Sequence, residues 1–86
     1  MPNVTIYTTQ WCGYCVRAKA LLQRKGVPFQ EIDVSFDPAE RQRMTARANG
    51  RRTVPQIFIG ERHVGGCDDL HDLERRGELD SLLAVA

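Results

Sequence analysis

The alternation of strand and helix patterns near the amino terminus constrains the fold of this 86-residue chain more than any other feature. Residues 4–8 alternate β-branched and aromatic side chains, which is typical of a strand. A helical pattern runs from about Cys12 to Lys25, where Gly26 supplies a stop, and residues 29–34 alternate as a second strand. Because strand–helix–strand connections cross over right-handedly, these two strands are predicted to be parallel.

The second half of the chain predicts a helix, a hairpin, a further helix and a short terminal helix. Asp37 and Pro38 suit the start of a helix. Gly60 and Glu61 separate two short strand patterns, as the turn of a hairpin does. A helical pattern follows Gly66 and ends at Gly77, and Leu79, Leu82 and Leu83 then repeat at helical spacing to the end of the chain. We therefore predict an α/β fold in one domain over residues 1–86, with a four-stranded mixed sheet flanked by helices on both faces.

Composition and charge limit the partners that this chain can have. Lys and Arg number 12 and Asp and Glu number 11, whereas a general nucleic-acid or membrane-surface binder needs a larger positive excess. The first residues show no signal-peptide pattern, and no apolar run is as long as a membrane span. An odd count of three cysteines is untypical of a secreted disulfide scaffold. We expect a cytoplasmic monomer that binds neither nucleic acid nor membranes.

Cys12 and Cys15 form a Cys-x-x-Cys pair at the junction of the first strand and first helix patterns. The thiolate is the reactive form of cysteine, and a helix N-terminus stabilises negative charge through its unpaired N–H groups. Cys12 is therefore predicted to be the nucleophile at the exposed helix end. Cys15, one turn later, is predicted to lie deeper and to resolve the exchange by forming a disulfide with Cys12.

A zinc site is the other common use of a Cys-x-x-Cys pair. Zinc would need two more ligands, and the sequence offers only Cys67 with His63 nearby. The chain has no second such pair, and the first pair opens a helix after a strand, so redox chemistry is favoured and no metal site is predicted. His63 and His71 have no partner that the sequence identifies, and both are predicted to lie on the surface.

Four segments of the chain resemble the glutaredoxin family, a branch of the thioredoxin fold. They are Tyr7-Thr8, Cys12-Gly13-Tyr14-Cys15, Thr53-Val54-Pro55 and Gly65-Gly66-Cys67-Asp68-Asp69. A lone Cys-x-x-Cys pair is weak evidence, but these segments follow the family's order and spacing over about residues 4–83. Thioredoxin is the nearest alternative because Trp11-Cys12-Gly13 resembles its active site, although thioredoxins carry an additional strand and helix before the cysteine pair.

The resemblance implies a glutathione-binding site. Thr53-Val54-Pro55 resembles the family's cis-proline loop, in which the backbone of Val54 pairs with the cysteinyl part of glutathione. Gly66-Cys67-Asp68 opens a helix whose free N–H groups can hold the γ-glutamyl carboxylate, while Asp68 can pair with the adjacent ammonium group. Asp69 is predicted to have only a helix-terminal role, so that its replacement should matter less than that of Asp68.

Three further side chains are assigned from the resemblance. Tyr14 is expected to form a wall of the glutathione groove. Arg51 resembles the family's basic residue that meets the glycyl carboxylate, with an ordinary solvated arginine as an equal alternative. Cys67 is expected to be a small buried residue beside the ligand rather than a third redox thiol.

This sequence departs from the family pattern at two positions. Gly13 stands where the family often has proline, and glycine loosens the turn between the cysteines. Thr9 stands where the family often has a lysine that assists the thiolate, so the helix terminus must supply more of the stabilisation. Some glutaredoxins without that proline hold a [2Fe–2S] cluster between two subunits through the first cysteine and glutathione. A cluster carrier with Cys12 as a ligand is therefore an alternative function.

The expected function is the glutathione-dependent reduction of protein disulfides and protein–glutathione mixed disulfides through Cys12 and Cys15. Glutathione is the expected co-substrate, and disulfide-bonded or glutathionylated proteins are the expected partners. A thioredoxin-like reductant that receives its electrons from thioredoxin reductase is the remaining alternative, and the electron donor separates the two.

Overall fold

The computed structural model describes residues 3–83, in which four strands and four helices follow one another. The strands are β1 (Val4–Thr8), β2 (Gln30–Asp33), β3 (Gln56–Ile59) and β4 (Arg62–Gly65). The helices are α1 (Gly13–Arg24), α2 (Pro38–Arg47), α3 (Cys67–Arg75) and α4 (Leu79–Leu83). The order is the predicted one, although β2 is one residue shorter at each end than the sequence pattern. The predicted continuation of the last helix lies outside the described residues.

The four strands form one mixed sheet in the order β2-β1-β3-β4. Strand β1 pairs in parallel with β2, as the right-handed crossover through α1 requires. Strand β3 is antiparallel to both β1 and β4, and a register shift interrupts the β3–β4 ladder between Ile57 and Phe58. The predicted four-stranded mixed sheet is confirmed. Within residues 3–83, no helix has the length and apolar character that crossing a membrane requires.

Alternate residues of the central strands face opposite sides of the sheet and enter two separate cores. On one side, Ile6 and Ile57 pack into a cluster that includes Leu70 and other residues of α1, α3 and α4. On the other side, Tyr7 and Phe58 belong to a smaller cluster with residues of α2 and the segments beside it. The prediction of helices on both faces is confirmed.

Helix α2 buries a single side chain against its face of the sheet. Asp37 accepts a hydrogen bond from the backbone N–H of Glu40 at 3.0 Å, and Pro38 is the first residue of the helix. Met44 is fully buried and is the one buried residue of this helix. The predicted start of α2 is confirmed.

The strand directions bring three distant segments to one edge of the sheet. Gln56 at the start of β3 lies beside Tyr7, close to the carboxyl end of β1. Gly65 at the end of β4 lies beside Ile57. The loop after β1, the loop before β3 and the start of α3 therefore meet at the same edge, although about 40 residues of chain separate the first from the second.

Candidate active site

Cys12 lies at this edge as the N-cap residue of α1. Its backbone is extended (φ −105°, ψ 106°), and its Sγ accepts a hydrogen bond from the backbone N–H of Cys15 at 3.2 Å. The side chain is partly exposed. A sulfur anion at this position meets a backbone donor and the positive end of the helix dipole. The structure thus places Cys12 where a nucleophilic thiolate would be stabilised and reached from solvent.

Cys15 has the opposite environment. Its side chain is only 1% exposed, and burial raises the pKa of its thiol to about 12, with the neighbouring Cys12 sulfur adding to the shift. The thiol is therefore protonated at neutral pH and hidden from large reagents. All three cysteines of the chain are free thiols in this structure. The two sulfurs of the pair differ in the way that an attacking and a resolving cysteine must differ.

The loop before β3 contains a cis peptide bond between Val54 and Pro55. The carbonyl oxygen of Val54 lies 3.9 Å from the Sγ of Cys12. The backbone of this loop is consequently presented to any molecule that is joined to Cys12 through sulfur. The structure has the cis-proline geometry that the family resemblance implies.

A buried polar network fixes the same loop from behind. Gln56 is fully buried, and its amide nitrogen donates to the carbonyl oxygen of Thr53 at 2.9 Å and to its Oγ1 at 3.2 Å. The Oε1 of Gln56 lies 2.7 Å from Nε2 of His63, which must therefore act as the donor. Burial and the charge of Arg51 lower the pKa of His63. The sequence identified no partner for His63 and predicted a surface position, but the side chain is half-buried and also stacks on Phe58 with ring centroids 4.9 Å apart.

Asp69 joins the start of α3 to the loop before β3. Its Oδ2 accepts the backbone N–H of Gly66 at 2.8 Å and pairs with the guanidinium of Arg51 at 3.1 Å. The Gly66 hydrogen bond, with Arg51 beside it, holds the pKa of Asp69 below its usual range. Gly65 has a φ of 118°, and a Cβ there would collide with the Asp69 carboxylate, so glycine is required.

The helix-terminal role predicted for Asp69 is therefore incomplete. The three-residue spacing from Gly66 to Asp69 is that of a capping box, and this spacing was the available signal for the contact. The same ion pair holds the guanidinium of Arg51 against Asp69 and beside Gly66, at the start of α3.

The residues predicted to bind glutathione line one cleft beside Cys12. Asp68 is exposed at its rim, and within residues 3–83 its carboxylate has no hydrogen-bond or ion-pair partner. Asp69 also lines the cleft, although it was not predicted to bind glutathione. The lining residues are Tyr14, Arg51, Thr53, Val54, Pro55, Gly66, Cys67, Asp68 and Asp69.

Cys67 is buried at the start of α3, as expected for a small residue in that position. Its Sγ lies 3.4 Å from Nδ1 of His71, and the same nitrogen lies 2.9 Å from the carbonyl oxygen of Cys67. The sequence identified no partner for His71, and the structure provides these two contacts. Burial raises the pKa of the Cys67 thiol. Among the described residues, no group of three or more His, Cys, Asp or Glu side chains is placed to hold a metal ion.

The arrangement of these segments defines a class of protein. An accessible cysteine at a helix N-terminus, a buried partner one turn later and an adjacent cis-proline loop are held by a four-stranded mixed sheet. This combination is that of a thiol–disulfide oxidoreductase with the thioredoxin-like fold.

Comparison with known proteins gives the family within this class. Residues 4–64 match the Glutaredoxin family model. The chain is 66% identical over 85 residues to a glutaredoxin of Pseudomonas aeruginosa, with 99% of this chain and 100% of its relative covered. The chain belongs to the glutaredoxin family and is a glutathione-linked thiol oxidoreductase.

Two solved structures support the same assignment. The crystal structure of the buckwheat glutaredoxin–glutathione complex superposes with a TM-score of 0.85 at 33% identity, over 95% of this chain and 76% of that one. A structure solved under the name Metal Binding of Glutaredoxins is 60% identical, with a TM-score of 0.73 over 96% of this chain and 89% of that one.

Proposed function

We propose that the protein uses glutathione to reduce protein–glutathione mixed disulfides and protein disulfides in the cytoplasm, with Cys12 as nucleophile and Cys15 as resolving thiol. The observation that carries this proposal is the contrast between the two sulfurs. Cys12 is accessible at the N-terminus of α1, 3.9 Å from the Val54 carbonyl, whereas Cys15 is buried with its pKa raised to about 12.

Reduction of a mixed disulfide needs Cys12 alone. The Cys12 thiolate attacks the glutathione sulfur, a new Cys12–glutathione disulfide forms, and the protein substrate leaves as a thiolate. A second glutathione thiolate then attacks the glutathione sulfur of this adduct, which releases oxidised glutathione and restores the Cys12 thiolate. Each exchange forms one disulfide and breaks one, so the two electrons come from glutathione.

Reduction of a protein disulfide also needs Cys15. Attack by Cys12 links the two proteins through a mixed disulfide and releases one substrate thiolate. Cys15 loses its proton as its sulfur attacks Cys12, and the second substrate sulfur leaves as a thiol. Two glutathione molecules then reduce the Cys12–Cys15 disulfide. Because the Cys15 thiol is protonated and buried, it reacts with the adjacent Cys12 sulfur in preference to external disulfides.

The cleft beside Cys12 accounts for the preference for glutathione. The N–H groups at the start of α3, around Cys67 and Asp68, suit the γ-glutamyl carboxylate, and the unpartnered carboxylate of Asp68 suits its ammonium group. The backbone of Val54 is placed for the cysteinyl part, and the Tyr14 ring borders the cleft. We place Arg51 at the γ-glutamyl end, where it already pairs with Asp69.

The electron donor tests this function directly. Wild-type protein should turn over a glutathionylated peptide and a protein disulfide when glutathione and glutathione reductase supply the electrons. Consumption of NADPH reports the rate in each case. Turnover with thioredoxin reductase as the sole electron donor, and none with glutathione, would contradict the proposal and favour the thioredoxin-like alternative.

Replacing Asp68 with alanine should weaken the use of glutathione selectively. Loss of a charge-assisted hydrogen bond costs on the order of 1.5–3 kcal/mol, so the KM for glutathione should rise roughly ten- to a hundredfold. The rate with dithiothreitol as reductant, which has no γ-glutamyl group, should change little. Steady-state kinetics with each reductant make the comparison.

Asp72 provides the matched control for Asp68. It lies on the same helix, carries the same charge and pairs with Arg75 and Arg76 away from the cleft, so Asp72→Ala should leave the KM for glutathione nearly unchanged. Asp69 cannot serve as a control, because its loss frees Arg51 and the Gly66 N–H. Equal losses for Asp68→Ala with both reductants would show that Asp68 supports the fold and does not bind the ligand.

We also propose, as a second function, that two copies of the chain can hold a [2Fe–2S] cluster together with two glutathione molecules. Such a cluster takes four thiolates, and each chain offers Cys12 as its one accessible sulfur beside the cleft. A Cβ at Gly13 would have no neighbour within 4 Å, so the position between the two cysteines faces open space. The glutaredoxin structure that is 60% identical to this chain was solved under the name Metal Binding of Glutaredoxins.

Anaerobic reconstitution with iron, sulfide and glutathione tests the second function. Wild-type protein should gain visible absorption and the mass of a dimer in size-exclusion chromatography. Cys12→Ser should lose both signals, whereas Cys15→Ser should keep them. A colourless monomeric wild type after reconstitution would rule this function out.

A further inference from the structure

Four large apolar side chains are exposed among residues 3–83, and three of them lie within four residues of Cys12 along the chain. Trp11 is 94% exposed, Phe36 82%, Val16 61% and Tyr14 57%. Single exposed apolar side chains are ordinary, but a cluster of them marks an interaction surface. We propose that Trp11 and Phe36 form a docking surface, called here the aromatic rim, for an apolar residue next to the target cysteine of a protein substrate.

Trp11 is held in an unusual conformation directly before the nucleophile. Its φ is 54°, in the left-handed region that bulky residues rarely adopt. Hydrogen bonds fix the chain on both sides, from the Gln10 N–H to the Ser35 hydroxyl at 2.7 Å and from the Val16 N–H to the Cys12 carbonyl at 3.1 Å. Such conformations persist where the surrounding structure maintains them, and they cluster at functional sites.

The Gln10–Ser35 hydrogen bond also brings Phe36 to the rim. Trp11 follows Gln10, and Phe36 follows Ser35, so each aromatic residue is one position away from the same 2.7 Å contact. The parallel pairing of β1 and β2 extends to this point, since the Val34 N–H donates to the Thr8 carbonyl at 2.8 Å. The two most exposed aromatic side chains therefore share one edge of the molecule with Cys12.

The chemistry of the reaction identifies the occupant of the rim, and this step rests on the proposed function. A protein substrate must bring its sulfur to the Sγ of Cys12, so the residues beside its cysteine face the surroundings of Cys12. Glutathione is assigned to the cleft between Tyr14 and Asp68, and neither Trp11 nor Phe36 lines that cleft. The rim stays available while the cleft is filled, and its aromatic surface suits a leucine, methionine or phenylalanine of the substrate.

Two glutathionylated peptides of equal length test the rim, one with leucine and one with serine beside the cysteine. The mixed disulfide of free cysteine and glutathione is the third substrate. Trp11→Ala should raise the KM for the leucine peptide about five- to thirtyfold, the effect of losing one interface anchor, with kcat unchanged. Phe36→Ala should act in the same direction. The serine peptide and the cysteine–glutathione disulfide should be affected little, and thermal unfolding should match the wild type.

The other outcomes of this experiment are equally decisive. Unchanged kinetics for the leucine peptide in the Trp11→Ala, Phe36→Ala double variant would contradict the proposal that the aromatic rim binds the substrate. Equal losses for all three substrates would also overturn it, because Trp11 would then act on Cys12 itself. A wild type that reduces none of the three substrates would instead overturn the proposed function, which distinguishes the failure of one proposal from that of the other.

Discussion

Replacing Cys12 with serine is expected to reduce two activities to the rate of uncatalysed exchange, namely the reduction of glutathionylated peptides and the reduction of protein disulfides. In the proposed function both reactions begin with the attack of this sulfur, and a serine hydroxyl at the same helix terminus is not ionised at neutral pH. The loss should appear in the reduction of a glutathionylated peptide and of a protein disulfide alike, measured with glutathione and glutathione reductase as the electron supply.

Cys67→Ser is the matched control for this variant. Cys67 is also a free thiol and lines the same cleft, but it is buried and burial raises the pKa of its thiol. Its replacement should leave most of both activities in place. Substantial removal of glutathione from peptides by the Cys12→Ser protein would show that the nucleophile has been assigned to the wrong cysteine.

Replacing Cys15 with serine is expected to separate the two activities. Release of glutathione from a peptide needs a single attacking thiol, so this activity should stay near the wild-type level. Reduction of a protein disulfide should fall to a small fraction, because no internal thiol can release the substrate from its mixed disulfide with Cys12. The ratio of the two rates, measured for wild type and variant under the same glutathione supply, is the decisive quantity.

The intermediate of the Cys15→Ser protein provides an independent measurement. Mass spectrometry after acid quenching should find glutathione attached to Cys12 during peptide turnover, and the substrate protein attached to Cys12 when a protein disulfide is offered. A Cys15→Ser protein that retains full protein-disulfide reduction would contradict the resolving role. One that loses both activities would show that Cys15 supports the reactivity of Cys12.

The fold could be predicted from sequence because local patterns and chain connectivity agree. Alternation in residues 4–8 and the cap at Asp37 specify their elements locally. The crossover rule then makes β1 and β2 parallel, and the two-residue turn at Gly60 makes β3 and β4 antiparallel. Once these pairings are fixed, the positions of the Cys12 helix and of the Val54 loop follow.

Side-chain contacts between distant segments could not be predicted in the same way. The contact of His63 with Gln56 depends on the register that pairs His63 with Phe58, because Gln56 and Phe58 lie on the same face of β3, and no local sequence pattern fixes that register. The pairing of Arg51 with Asp69 depends on how closely a loop approaches a helix start across 18 residues of sequence. Family resemblance placed Arg51 in the cleft but gave no indication of its contact with Asp69.

The meeting of three segments at one edge of the sheet also has a thermodynamic consequence. Cys12, Val54 and Asp68 approach one another only when β3 is paired with both of its neighbours, so an unfolded chain has no comparable site. A molecule that binds the folded chain alone stabilises it by mass action, by about 2.7 kcal/mol at a concentration a hundred times its dissociation constant. The melting temperature of the protein should therefore rise with the concentration of glutathione, and in a cell the supply of reductant would also help to keep the enzyme folded.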